Sequence, residues 1–152
     1  MGEYTSKYTG EQIDNLLGQV ENGGVGGSYA TALWEGTLTE LNTAVALIDS
    51  VENYDFILVE AMITGNNKNA AIETRLIDVS TIGYTGSTSV AEPCYNIYSS
   101  AGSITVYYRI LFAFLDATSL FLVNKSVGGS SWDNPRITKI TGIKLGGGIV
   151  AI

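Results

Sequence analysis

The chain has no histidine among its 152 residues and a single cysteine, Cys94. Serine–histidine–aspartate and cysteine–histidine arrangements are therefore impossible, and so are imidazole ligation of zinc and an internal disulfide. Paired carboxylates can still hydrolyse glycosidic bonds, one as acid and the other as base or nucleophile. Glu60 and Glu73, on what read as adjacent strands, are the pair that could do so. Two ordinary solvent-facing strand residues would give the same pattern, which is the plainer reading.

Phosphate and metal chemistry find no foothold. Gly23 to Gly27 follows a helical pattern instead of opening one, and Gly146 to Gly148 leads into no helix and no Lys-Ser/Thr pair, so neither glycine run is a phosphate cradle. The acidic residues lack calcium-loop spacing. No cofactor or metal is expected, and the expectation is a protein that is not an enzyme.

Aromatic rings are what remains, because flat rings pack on sugar faces and anchor interfaces. Trp132, Asp133 and Asn134 fall in a predicted loop from Ser126 to Pro135, where an exposed ring beside hydrogen-bonding side chains would suit a glycan. A tryptophan folded under its own loop as a plug is the alternative. Tyr84, in the Gly-, Thr- and Ser-rich stretch from Thr81 to Ser89, is a similar candidate. Trp34 reads as core or interface, and Tyr107 and Arg109 as lining a subunit contact.

The elements that must position these residues are strands. Eighteen glycines against two prolines, with nine tyrosines and many Val, Ile and Thr, predict short strands joined by tight turns. Predicted strands cover 30–36, 43–49, 54–63, 70–80, 94–98, about 104–115, 119–125 and 136–145. The nearly continuous apolar run in 54–63 predicts a central strand covered on both faces, paired in a hairpin with 70–80. In the longest strand Ile104, Val106, Tyr108, Ile110, Phe112 and Phe114 alternate onto one face and predict the core. The fold class is all-β, a β-sandwich over 29–152, with jelly-roll and barrel arrangements both compatible with the strand count.

One helix precedes it, over residues 1–22. Thr9 and Gln12 form a capping box, Tyr8 and Ile13 a hydrophobic staple, and Ile13, Leu16, Leu17 and Val20 share one apolar stripe. So short a helix is marginal in water unless its stripe is covered. The Gly-rich linker 23–28 would hold it only loosely against the sandwich, so the stripe is expected to meet copies of itself, an oligomerisation peg. Folding back on the sandwich or fraying as a terminus is the other outcome, and the stripe alone allows two, three or four copies.

A formal charge of −7 repels phosphate backbones and anionic lipid, so nucleic acid is not an expected partner. The longest apolar segment, Ile110 to Leu115, is far short of the roughly 20 residues that span a bilayer, and no signal-type segment opens the chain. No membrane insertion is expected. Apolar residues reach 45% while charged residues are 15%, a surplus that suits subunit interfaces.

Lys7-Tyr8-Thr9-Gly10-Glu11-Gln12-Ile13-Asp14-Asn15-Leu16-Leu17 resembles a segment near the start of, or between, domains of many bacteriophage tail-fibre and baseplate proteins. The stretches Leu33–Gly36, Val51–Val59 and Arg136–Lys144 are similar to those of a small β-sandwich domain recurrent in phage tail proteins. The resemblance implies a structural protein of the virion tail, made in the host cytoplasm and commonly a homotrimer. It also implies contacts with other tail proteins and attachment to the bacterial surface, for which a cell-surface glycan is the expected receptor. A monomeric lectin-like module is the alternative function, and a glycan depolymerase a more distant one. Unlike many fibres, the chain has no β-helical shaft or long coiled coil.

Overall fold

The computed structural model describes residue 11 and residues 29–65, 70–100, 107–128 and 132–146. The predicted helix over 1–22, with its stripe Ile13, Leu16, Leu17 and Val20, and the linker 23–28 lie outside the described residues, apart from Glu11. Eight strands follow: β1 (Tyr29–Leu38), β2 (Ala44–Ala46), β3 (Phe56–Gly65), β4 (Ala70–Asp78), β5 (Tyr95–Ser100), β6 (Tyr107–Asp116), β7 (Ser119–Gly128) and β8 (Trp132–Lys144). Two short 3-10 turns, Val51–Asn53 and Val79–Thr81, stand before β3 and after β4.

The strands form two four-stranded sheets, β1-β8-β3-β4 and β2-β7-β6-β5, with every neighbouring pair antiparallel. We call these sheet A and sheet B. Each buries one face against the other, as a sandwich requires. In β6 the predicted core face holds over the described residues, outside which Ile104 and Val106 lie: Tyr108, Ile110, Phe112 and Phe114 are all buried. They meet Leu33, Ile57, Val59, Ile137 and Ile140 of sheet A in one apolar cluster. The β3–β4 hairpin and the β5–β6–β7 meander keep consecutive strands within one sheet. A jelly roll, built of two Greek keys, would order them differently.

Three expectations need correction. The predicted 126–135 loop is mostly strand, because β7 continues to Gly128 opposite Tyr107 and β8 begins at Trp132 opposite Gly65. Available partners on neighbouring strands override the turn-like composition there. Second, β3 is central in its sheet but not covered on both faces. Ile57, Val59, Ala61 and Ile63 are buried, while Phe56, Leu58, Glu60, Met62 and Thr64 on the outer face are only half-buried. Third, the strand predicted over 43–49 pairs only through Ala44–Ala46, and the chain then turns on Asp49.

Candidate functional site

The two stretches that carry the candidate binding residues stand apart in the fold. Trp132 and Asp133 pair with Gly65 and Thr64 at the C-terminal end of β3. Asn134 follows with a left-handed φ of 55° at an irregularity in the β3–β8 register. The corner is organised by Arg136, whose Nη1 donates to the Asn134 carbonyl at 2.8 Å and to Thr64 Oγ1 at 3.2 Å. Tyr84 lies at the opposite end of the sandwich. Its hydroxyl donates to Glu52 Oε1 at 3.1 Å, in the 3-10 turn just before β3. Partial burial and then the Glu52 carboxylate push the Tyr84 hydroxyl up to about 12. Ten strand residues separate the two ends, roughly 30 Å, so Tyr84 and Trp132–Asn134 do not form one site.

The carboxylate pair is separated in a different way. Glu60 pairs with Thr74, whereas Glu73 pairs with Ala61. One residue of offset puts the two side chains on opposite faces of sheet A. Glu60, on the outer face, accepts from Thr138 Oγ1 at 3.4 Å. Glu73, on the inner side, accepts from Ser99 Oγ at 3.1 Å and helps close the seam between β4 and β5. Two carboxylates facing away from each other cannot flank one glycosidic bond.

A concave site does occur, on the outer face of sheet B. In the β6–β7 ladder Ala113 pairs with Phe121, and both are fully buried although they point away from the sandwich core. Their cover is the segment after the second 3-10 turn. Thr85 N–H donates to the Phe114 carbonyl at 2.9 Å and Gly86 N–H to that of Leu115 at 3.0 Å, which straps the segment along β6. The chain then passes over β7, and Thr88, Ser89 and Ala91 face Asn42, Phe121 and Val123 across a cavity of about 300 Å³. Asn42 is held at the rim by a left-handed φ of 59° and by its N–H, which donates to the Leu122 carbonyl at 2.8 Å. The hydroxyls of Ser87 and Ser89 are bonded to each other at 2.8 Å.

The cavity has the chemistry of a neutral, hydroxyl-rich guest. Side-chain hydroxyls and an amide stand at its rim and apolar side chains at its base, and its volume is at the lower end of small-molecule sites. Composition marked 81–89 as a loop but pointed to Tyr84, because the ring was the conspicuous residue. Thr88 and Ser89 gain meaning only when Phe121 and Asn42 arrive beneath them. The face continues along the ladder, where Asn124 pairs with Leu111, and Ser126 and Tyr98 both pair with Arg109. Arg109, Leu111, Asn124, Lys125 and Ser126 line a second, smaller depression there, of about 50 Å³.

Among the described residues no three His, Cys, Asp or Glu side chains converge as metal ligands, and no helix is long and apolar enough to cross a membrane. No protein-family model matches the chain, and no curated protein matches it either.

Proposed function

We propose that this chain is a structural protein of a bacteriophage tail or fibre that assembles as a homotrimer and attaches the particle to a glycan of the bacterial surface, by binding alone. The observation that carries the reading is the cavity rimmed by Asn42, Thr88 and Ser89 over Phe121 and Val123, a site with hydrogen-bonding groups and no catalytic pair. The resemblance of the opening segment to tail-fibre proteins supplies the virion setting. In this reading the helix over 1–22 sets assembly through Ile13, Leu16, Leu17 and Val20 and faces the other tail proteins, while the sandwich presents the binding face. A monomeric lectin-like module is the second reading, favoured by the fact that the cavity is completed within one chain.

A glycan array probed with the full chain tests attachment. Binding to bacterial surface glycans is expected, and Thr88→Ala with Ser89→Ala should weaken it by about tenfold, as the loss of two hydrogen bonds implies. A full chain that binds no glycan would overturn the attachment reading, and undiminished binding by the double variant would move the site elsewhere.

A further inference from the structure

We propose that the depression beside the cavity is a subsite for the acidic group of an anionic glycan, with Arg109 as the residue that takes the charge; this deepens the attachment reading and rests on it. Among the described residues four of six cations have a side-chain partner. Lys139 lies 3.4 Å from Glu35 and Lys144 3.9 Å from Asp55. Arg75 donates to the Asn96 carbonyl, and Arg136 to Thr64 and the Asn134 carbonyl. Arg109 has no side-chain hydrogen bond or ion pair among the described residues and lines this depression with Leu111, Asn124 and Ser126, whereas Lys125 pairs with buried Ile110 and so belongs to the other face of the sheet. In a chain carrying fifteen carboxylates against eight basic groups, Arg109 is thus an exposed cation on the outer face of sheet B with no carboxylate bound to it among the described residues.

The surroundings fit that charge to a sugar. Arg109 is exposed and stands opposite Tyr98 on one side and Ser126 on the other, with Leu111 two residues along its own strand, so none of these neighbours is acidic. Tyr98 is 42% exposed and stacks on Tyr107 with ring centroids 6.0 Å apart and planes 29° from parallel. A fixed pair of rings offers a flat apolar platform at small entropic cost. A guanidinium presents a planar fork of donors that matches a carboxylate or phosphate, and the Asn124 and Ser126 side chains add uncharged partners. The adjoining cavity would take the neighbouring neutral sugar, so the two depressions describe consecutive units of one polymer. This contrasts with the subunit contact that the sequence suggested for Tyr107 and Arg109, since a contact between copies would cover this face.

The test is a titration of the full chain, followed by amide NMR, with three probes of equal length: an oligoglucuronate, an oligo(glycerol phosphate) and a neutral oligoglucose. At least one anionic probe should bind about tenfold more tightly than the neutral one, with shifts at Tyr98, Arg109 and Ser126 and weakening as salt rises. The two anionic arms distinguish a carboxylate from a phosphodiester. Arg109→Gln should reduce the anionic advantage to the level of the neutral probe, and Lys125→Gln, on the other face of the sheet, should leave it in place, with the unaffected spectrum elsewhere showing that each variant is folded. Equal binding of neutral and anionic probes, or an anionic advantage that survives Arg109→Gln, would overturn the subsite and leave glycan attachment standing. If none of the three probes binds and the glycan array is also blank, both readings fail.

Discussion

Tyr54 shows how much of this fold depends on single atoms. Its ring lies over Gly142 of β8, where an added Cβ would stand 2.7 Å from ring carbons next to the attachment point. That part of the ring cannot swing away, because the hydroxyl at its far end donates to Asp49 Oδ2 at 2.9 Å and Tyr29 meets it edge-on. Gly142→Ala is therefore expected to destabilise the protein by about 1–3 kcal/mol, the range for overpacking a core. Urea denaturation would measure it, and an unchanged midpoint would show that the ring relaxes freely. None of this was legible in the sequence, where Gly142 is one glycine in a strand pattern and its partner is far away along the chain. The same limit explains the candidate site. Residue type singled out Trp132 and Tyr84 as capable of binding a sugar, but capability carries no position, and the ladder put them at opposite ends. Thr88, Ser89 and Asn42 looked ordinary because what distinguishes them is the cavity they share.

At the scale of elements, aspartates hold the turns. Asp49 accepts from Tyr54, Asn53 and the Ser50 amide, and these bonds hold its carboxyl below the usual carboxylate range. Asp78 is lowered by the Ser80 hydroxyl and amide, and Asp116 by the Thr118 amide and then the Ser119 hydroxyl across the β6–β7 turn. The sign follows from the depressed values: the unfolded chain takes up protons first, so these bonds contribute fully above the ordinary carboxylate pKa and are lost as pH falls through the folded values. Stability should be level from about pH 8 to 5 and decline below about pH 4. The triple variant Asp49→Asn, Asp78→Asn, Asp116→Asn should decline less steeply, and an identical acid limb would show that other groups control it. Elements with a strict period were the legible ones, since the alternation from Tyr108 to Phe114 can be satisfied only by a half-buried strand. The junction of β7 and β8 was not. A proline has no N–H for a central strand's ladder, yet β1 stops pairing at Leu38–Ile137, so beyond that point β8 has a neighbour on one side only and tolerates Pro135.

The whole molecule presents two unlike faces. Sheet B turns outward its polar cavity, its tyrosine pair and Arg109. On sheet A, Ile72 and Leu76 are 53% and 54% exposed and stand opposite half-buried Met62 and Leu58, an apolar strip on the outer surface. The proposed assembly assigns that strip to a second copy of the chain, because the helix expected over 1–22, with a stripe of fewer than two heptads, would be too short to hold a trimer by itself and an exposed apolar strip suits a subunit contact. Light scattering of the full chain at micromolar concentration should then give three times the monomer mass. Ile13→Asp with Leu17→Asp should weaken the assembly, and Ile72→Asp with Leu76→Asp added to it should leave a monomer. An unaltered chain that is already monomeric would remove the trimer. Assembly and attachment are also separable in what they do to affinity. The monomeric variant keeps every residue of the sheet B face, so its binding to a soluble oligosaccharide should equal that of the trimer. On a glycan-coated surface, where three sites engage together, it should bind about a hundredfold more weakly or worse. A variant that lost soluble binding as well would show that the sugar site is not the sheet B face of a single chain and depends on assembly.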